Sequence, residues 1–120
     1  DETCCDPLYR KAIRVSVGAA LTTPFAQAGR AEDLYRLLTQ NGFSVVALSP
    51  QGALDLSDFK RPARVAALFG AEGPGLPPAL LDDGVQSVRI PMSGGFDSLN
   101  VATASGIVLH HLAASPSLAV

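Results

Sequence analysis

Apolar and polar positions follow two different rhythms along this chain. From Ala31 to Gln40, Leu34, Leu37 and Leu38 recur at helical spacing, and Asn41-Gly42 supplies a stop, so a helix is predicted there. Phe43 to Leu48 and Val65 to Phe69 are instead short, nearly continuous apolar runs, the pattern of strands covered on both faces of a parallel sheet. Val85 to Ile90 reads as a further strand, ended by Pro91, and a helix rich in small residues follows from about Asn100 to Leu112. Upstream, Asp6-Pro7 is a helix-start signal that predicts a helix from Pro7 to about Ser16. Pro24 to Gln27 is expected as a short edge strand, Asp55 to Asp58 as one helical turn, and Ala113 to Val120 as a loose tail.

Helices interleaved with buried strands predict an α/β fold, a mostly parallel sheet with helices on both faces. A length of 120 residues, 48% of them hydrophobic, suits a single domain spanning 1–120. No apolar run reaches the roughly 20 residues needed to span a bilayer, and no signal-peptide pattern opens the chain, which leads to the expectation of a soluble, cytoplasmic protein. Charged residues are 17% of the chain and the formal net charge is -2, so there is no overall basic signature for nucleic acid. A local one exists, because Arg10, Lys11 and Arg14 fall on one helical face. Cys4 and Cys5 are adjacent, which rules out a loop-closing disulfide between them and gives no metal-ligand spacing; two reduced thiols at a strand end, and no metal, are expected.

In an open parallel sheet, ligands bind beyond the carboxyl ends of the strands, here the loops after Leu48, Phe69 and Ile90. Phe69-Gly70-Ala71-Glu72-Gly73-Pro74-Gly75-Leu76 packs its glycines where a ligand could approach the backbone, but lacks the Lys-Ser/Thr of a phosphate-binding loop. Ile90 to Asn100 runs straight into the last helix, with Ser98 or Asn100 available as its cap. Capping alone does not explain polar, glycine-bearing loops at two successive strand ends.

The stretch FGAEGPGL, followed about twenty residues later by IPMSGGFDSLNVA, resembles the second and third signature motifs of the SpoU/TrmH family of RNA ribose 2'-O-methyltransferases. DPLYRKAIRVSVGA is similar to the helix after that family's second strand, so the resemblance covers residues 4 to 112. It implies the SPOUT fold, whose C-terminal segment forms a trefoil knot that makes the S-adenosylmethionine pocket, a known exception to the rule against knots. By position it assigns Gly70, Ile90 and Leu99, with Leu48 nearby, to main-chain contacts with the cofactor, and Glu72, Ser98 and Asn100 to the reaction site. It implies transfer of a methyl group to a ribose 2'-hydroxyl of tRNA or rRNA, RNA contact through Arg10, Lys11, Arg14 and Arg30, and a homodimer paired through the last helix, where Ala102, Ala104, Ser105 and Gly106 would permit close approach.

The family's first motif, an Asn-x-Gly-x-x-x-Arg-like stretch carrying the proton-handling arginine, is not among these 120 residues, so the chain is expected to be an N-terminally truncated fragment. Ala102-Thr103-Ala104 stands where the family commonly has Ser-Val-Ala, and His111 where a glutamate often ends the last helix. Two other readings stay open: a cofactor-binding and dimerisation fragment that does not turn over, and a nucleotide-binding α/β domain without methyltransferase chemistry.

Overall fold

The computed structural model describes residues 1–71, 75–82, 84–96 and 99–116. Four strands, β1 (Ser44–Leu48), β2 (Leu54–Asp55), β3 (Val65–Leu68) and β4 (Gln86–Arg89), form one sheet in the order β2-β4-β1-β3. Every pairing is parallel: Val46 lies opposite Ala67 on one side and Gln86 on the other, and Leu54 opposite Val88. The three predicted strands are present, β1 shorter by one residue at its start, β3 by one at its end and β4 by one at each end. The expected helical turn is a single 3₁₀ turn, Leu56–Asp58, preceded by the unpredicted strand β2.

Strand alternation sends side chains to opposite faces, and both faces are covered. On one face Val46 and Val88 pack with Leu56, Phe59 and two residues of the last helix, α4 (Val101–Ala114), namely Val108 and Leu112. On the other, Val45, Ala47 and Val85 meet Leu81, from α3 (Pro78–Asp82), and Tyr35 and Leu38, from α2 (Ala31–Gln40). Fully burying one valine such as Val88 contributes about 1.5–3 kcal/mol, so these two layers hold the sheet. The predicted stripe of α2 needs adjustment: Leu37 is exposed, and Tyr35 takes its place in the packing. On α4, Ala104, Val108 and Leu112 are buried at four-residue intervals, while Ile107 and Leu109 face outward. Among the described residues no helix is long and apolar enough to cross a membrane.

The chain divides into two compact units, Asp1–Leu34 and Tyr35–Val120. Within the first, the predicted Pro7 helix begins later, as α1 (Arg10–Val15). The reason is local: the Asp6 carboxylate accepts the Leu8 N–H at 2.8 Å and so organises a turn, while Tyr9, in extended conformation, occupies the helix's N-cap position. The helix ends where Val17 and Gly18 adopt positive φ. Pro24 to Gln27 forms no strand, and Cys4 and Cys5 are exposed thiols in a turn region rather than at a strand end.

The connection from β1 to β2 is clasped against β4. Ser49 donates its N–H to the Val88 carbonyl at 2.9 Å, and Arg89 reaches Asp55 at 2.6 Å and the Gly52 carbonyl at 3.3 Å. The Arg89–Asp55 pair is partly solvated, which holds its worth to about 1 kcal/mol or less. Asp55→Ala is therefore expected to lower the melting temperature by only a few degrees, with the difference from wild type shrinking in 1 M salt. A loss independent of salt would assign Asp55 a packing role instead.

Candidate active site

Because β4, β1 and β3 are neighbours and parallel, the loops leaving their carboxyl ends emerge side by side. They enclose a cavity of about 550 Å³. Leu48 reaches it from the end of β1, Gly70 from the loop after β3, Ile90 from the loop after β4, and Leu99 and Asn100 from the start of α4. The four residues expected at the cofactor thus come together with Asn100 at one cavity, from four separate stretches of chain. Among the described residues its lining holds no charged side chain: apolar groups dominate, with Ser49, Gln51 and Asn100 as polar points.

Gly70 has a geometric reason to be glycine. A Cβ built there would lie 2.3 Å from the Gly75 carbonyl carbon and 2.4 Å from the Leu76 nitrogen, both backbone atoms. The chain folds back on itself at this point: Gly75 donates its N–H to the Ala71 carbonyl at 3.0 Å and takes φ +70°, a conformation suited to glycine. The bare backbone of Gly70 lets this return segment form part of the cavity wall.

Asn100 is both cap and cavity residue. Its Oδ1 accepts the Ala102 N–H at 2.9 Å and the Thr103 N–H at 3.4 Å, satisfying two donors of the first turn of α4. The cap fixes the rotamer of a side chain that also lines the cavity. Glu72 and Ser98, the other two reaction-site candidates, lie outside the described residues. Arg10, Lys11, Arg14 and Arg30 are all exposed in the first unit; the first three sit on α1, and Arg30 lies 3.7 Å from Glu32. No group of three or more potential metal ligands occurs among the described residues.

Two polar lining residues, Ser49 and Gln51, were not named from the sequence. The signal was available, since they follow directly on Leu48 at a strand end. Ser49 Oγ accepts the Gln51 N–H at 3.3 Å, which shapes this corner as a turn. Ala104, expected on an outward face for helix approach, is instead buried and lines the cavity, whereas Ala102 and Gly106 are exposed. The reason is the helical period: Ala104 shares the face of Val108 and Leu112.

Comparison with known proteins agrees with this architecture. Residues 1–110 match the SpoU rRNA Methylase family. An uncharacterized tRNA/rRNA methyltransferase of Mycobacterium tuberculosis is 46% identical over 111 residues, which are 89% of this chain and 38% of that protein. The 23S rRNA (guanosine-2'-O-)-methyltransferase RlmB of Ralstonia nicotianae is 37% identical over 98 residues, 80% of this chain and 39% of that one. The crystal structure of an AdoMet-bound rRNA methyltransferase from Sinorhizobium meliloti superposes with a TM-score of 0.81 at 34% identity, covering 90% of this chain and 41% of its own. The chain therefore spans about two fifths of the length of these relatives.

Proposed function

The chain belongs to the SpoU rRNA Methylase family, and from that premise we propose that its cavity binds S-adenosylmethionine and serves methyl transfer to a ribose 2'-hydroxyl of tRNA or rRNA. The observation that carries this reading is the convergence of Leu48, Gly70, Ile90, Leu99 and Asn100 on one cavity of about 550 Å³, a volume in the range of cofactor sites. The donor set fits the group. An apolar wall suits an adenosine, and the uncharged polar points Ser49, Gln51 and Asn100 and the bare backbone at Gly70 can meet its polar edges.

When bound, the cofactor supplies an electrophilic methyl group on a sulfonium. The chain's part is alignment. Gly70, Ile90 and Leu99 present backbone to the ligand, and the capped Asn100 is held at the point where the ribose would enter, so that the hydroxyl meets the methyl in line. Glu72 and Ser98 are assigned by resemblance to the same reaction site, where polar groups would polarise the 2'-hydroxyl. Arg10, Lys11, Arg14 and Arg30 would contact RNA phosphates. The same reading implies a cytoplasmic protein.

Two architectural features accompany this reading. The segment after β1 packs against both β4, through Ser49, and α4, where His111 Nε2 lies 3.1 Å from the Phe59 carbonyl; to this the family reading adds a C-terminal trefoil knot and 1–120 as one methyltransferase domain. An N–H on that ring nitrogen can donate to the carbonyl, which an ionised glutamate at the same position could not do. The outward face of α4, with Ile107 and Leu109 exposed beside Gly106, supports pairing of two copies through this helix.

Calorimetry with S-adenosylhomocysteine tests the cofactor reading: the chain should bind it, and Gly70→Val should abolish binding because the return segment 75–76, part of the cavity wall, must shift. No binding by the unmodified chain overturns the proposal. A second reading is a cofactor-binding and dimerisation fragment that does not turn over. Labelled methyl recovered as 2'-O-methylnucleoside from RNA incubated with the chain would remove it.

A further inference from the structure

Just after Met92, a residue of the cavity wall, a short turn leads to one displayed aromatic ring. Phe96 is 71% exposed. Gly94 and Gly95 both take positive φ, +76° and +78°, so the backbone curls tightly just before it. A single exposed aromatic is ordinary on a protein surface; this one is tethered. Three residues separate Phe96 from each of Met92 and Asn100, both in the cavity lining, and four extended residues reach at most about 14 Å. The ring is therefore held beside the cavity while forming no part of its wall.

We propose that Phe96 is a positioning residue that stacks on a nucleobase of the substrate RNA while the attached ribose reaches the cavity. The proposal deepens the RNA methyltransferase reading and rests on it. A ribose presented at the cavity mouth leaves its base outside, unstacked from its neighbours, and proteins that take single-stranded nucleotides satisfy such bases on aromatic faces. An exposed phenylalanine supplies a face for any base and no hydrogen-bonding group, so the contribution is to affinity and placement rather than to base identity. Phosphate contacts elsewhere on the RNA would not duplicate it, because they hold the backbone and leave the base free.

The chain contains no tryptophan, so Phe96→Trp creates a lone fluorescent reporter at this position. With S-adenosylhomocysteine present, its emission should be quenched by an unstructured oligoribonucleotide and not by an abasic ribose-phosphate oligomer of equal length. Phe96→Ala should weaken oligoribonucleotide binding by about 5- to 150-fold, the size of one base–aromatic stack, with S-adenosylhomocysteine affinity and oligomeric state unchanged; Phe96→Tyr should restore it. Equal affinity of wild type and Phe96→Ala for RNA, equal quenching by the abasic oligomer, or a change of oligomeric state in Phe96→Ala each overturns the stacking role while leaving the RNA reading intact. Cofactor binding without any RNA binding by the unmodified chain overturns the RNA reading, and the role of Phe96 with it.

Discussion

Gly52→Ala is expected to destabilise the chain by about 3 kcal/mol or more, a large share of the 5–15 kcal/mol that holds a typical domain together. Gly52 is buried, and an added Cβ would lie 2.3 Å from the Val88 carbonyl carbon, 2.5 Å from its oxygen and 2.6 Å from the Arg89 nitrogen. All three neighbours are backbone atoms, so no side chain can swing aside. Nor can the strand retreat, since Val88 is fully buried and sits in register between Leu48 and Leu54. Relief must come from the 49–52 segment moving away, which would break the Ser49–Val88 hydrogen bond and disturb the corner of the cavity formed by Ser49 and Gln51. Urea denaturation should show a lower midpoint at unchanged slope, together with weakened S-adenosylhomocysteine binding. Gly29→Ala is the matched control, because nothing lies within 4 Å of a Cβ there, and its effect should stay within about 0.5 kcal/mol. Equal losses at the two positions would mean that close backbone approach is not the reason for Gly52.

Gly52 also shows where sequence reading stops. In the sequence it is one glycine in a polar connection, indistinguishable from a turn residue; its role depends on β4, which is distant along the chain and adjacent only in the fold. The central strands were legible because burial on both faces makes them continuously apolar, and the sheet's parallel order then pointed to the loops where Leu48, Gly70, Ile90 and Leu99 meet. β2 was not legible, since a two-residue strand shows no periodicity. Asp6 was misplaced for a different reason: a carboxylate that accepts a nearby N–H stabilises a turn as readily as a helix start, and only the geometry at Leu8 decides between them. Leu37 was assigned to the packed stripe because helical spacing admits two adjacent faces, and the sheet selected the one bearing Tyr35 and Leu38.

The second large effect concerns Asn100, for which sequence alone offered capping and reaction-site roles as alternatives. The structure shows the cap and places Asn100 among the residues lining the cavity, so the two roles are compatible in one residue. Replacement by alanine should therefore do two things: cost about 1 kcal/mol of stability through the lost cap, and, in a longer chain that carries the family's first-motif arginine, lower methyl transfer by roughly 10²–10³, the loss seen when one aligned polar group is removed from a reaction centre. Asn100→Asp separates the two. Aspartate keeps an oxygen for the Ala102 N–H and is an equally good cap, but it replaces the amide's two N–H donors with an acceptor. Stability should return to the wild-type level in Asn100→Asp, methyl transfer should stay low, and S-adenosylhomocysteine affinity should change less than about tenfold in both variants. If Asn100→Asp recovers transfer along with stability, Asn100 acts only by holding the start of α4 in place. If neither variant recovers transfer while stability follows the cap, the amide itself takes part in presenting the ribose.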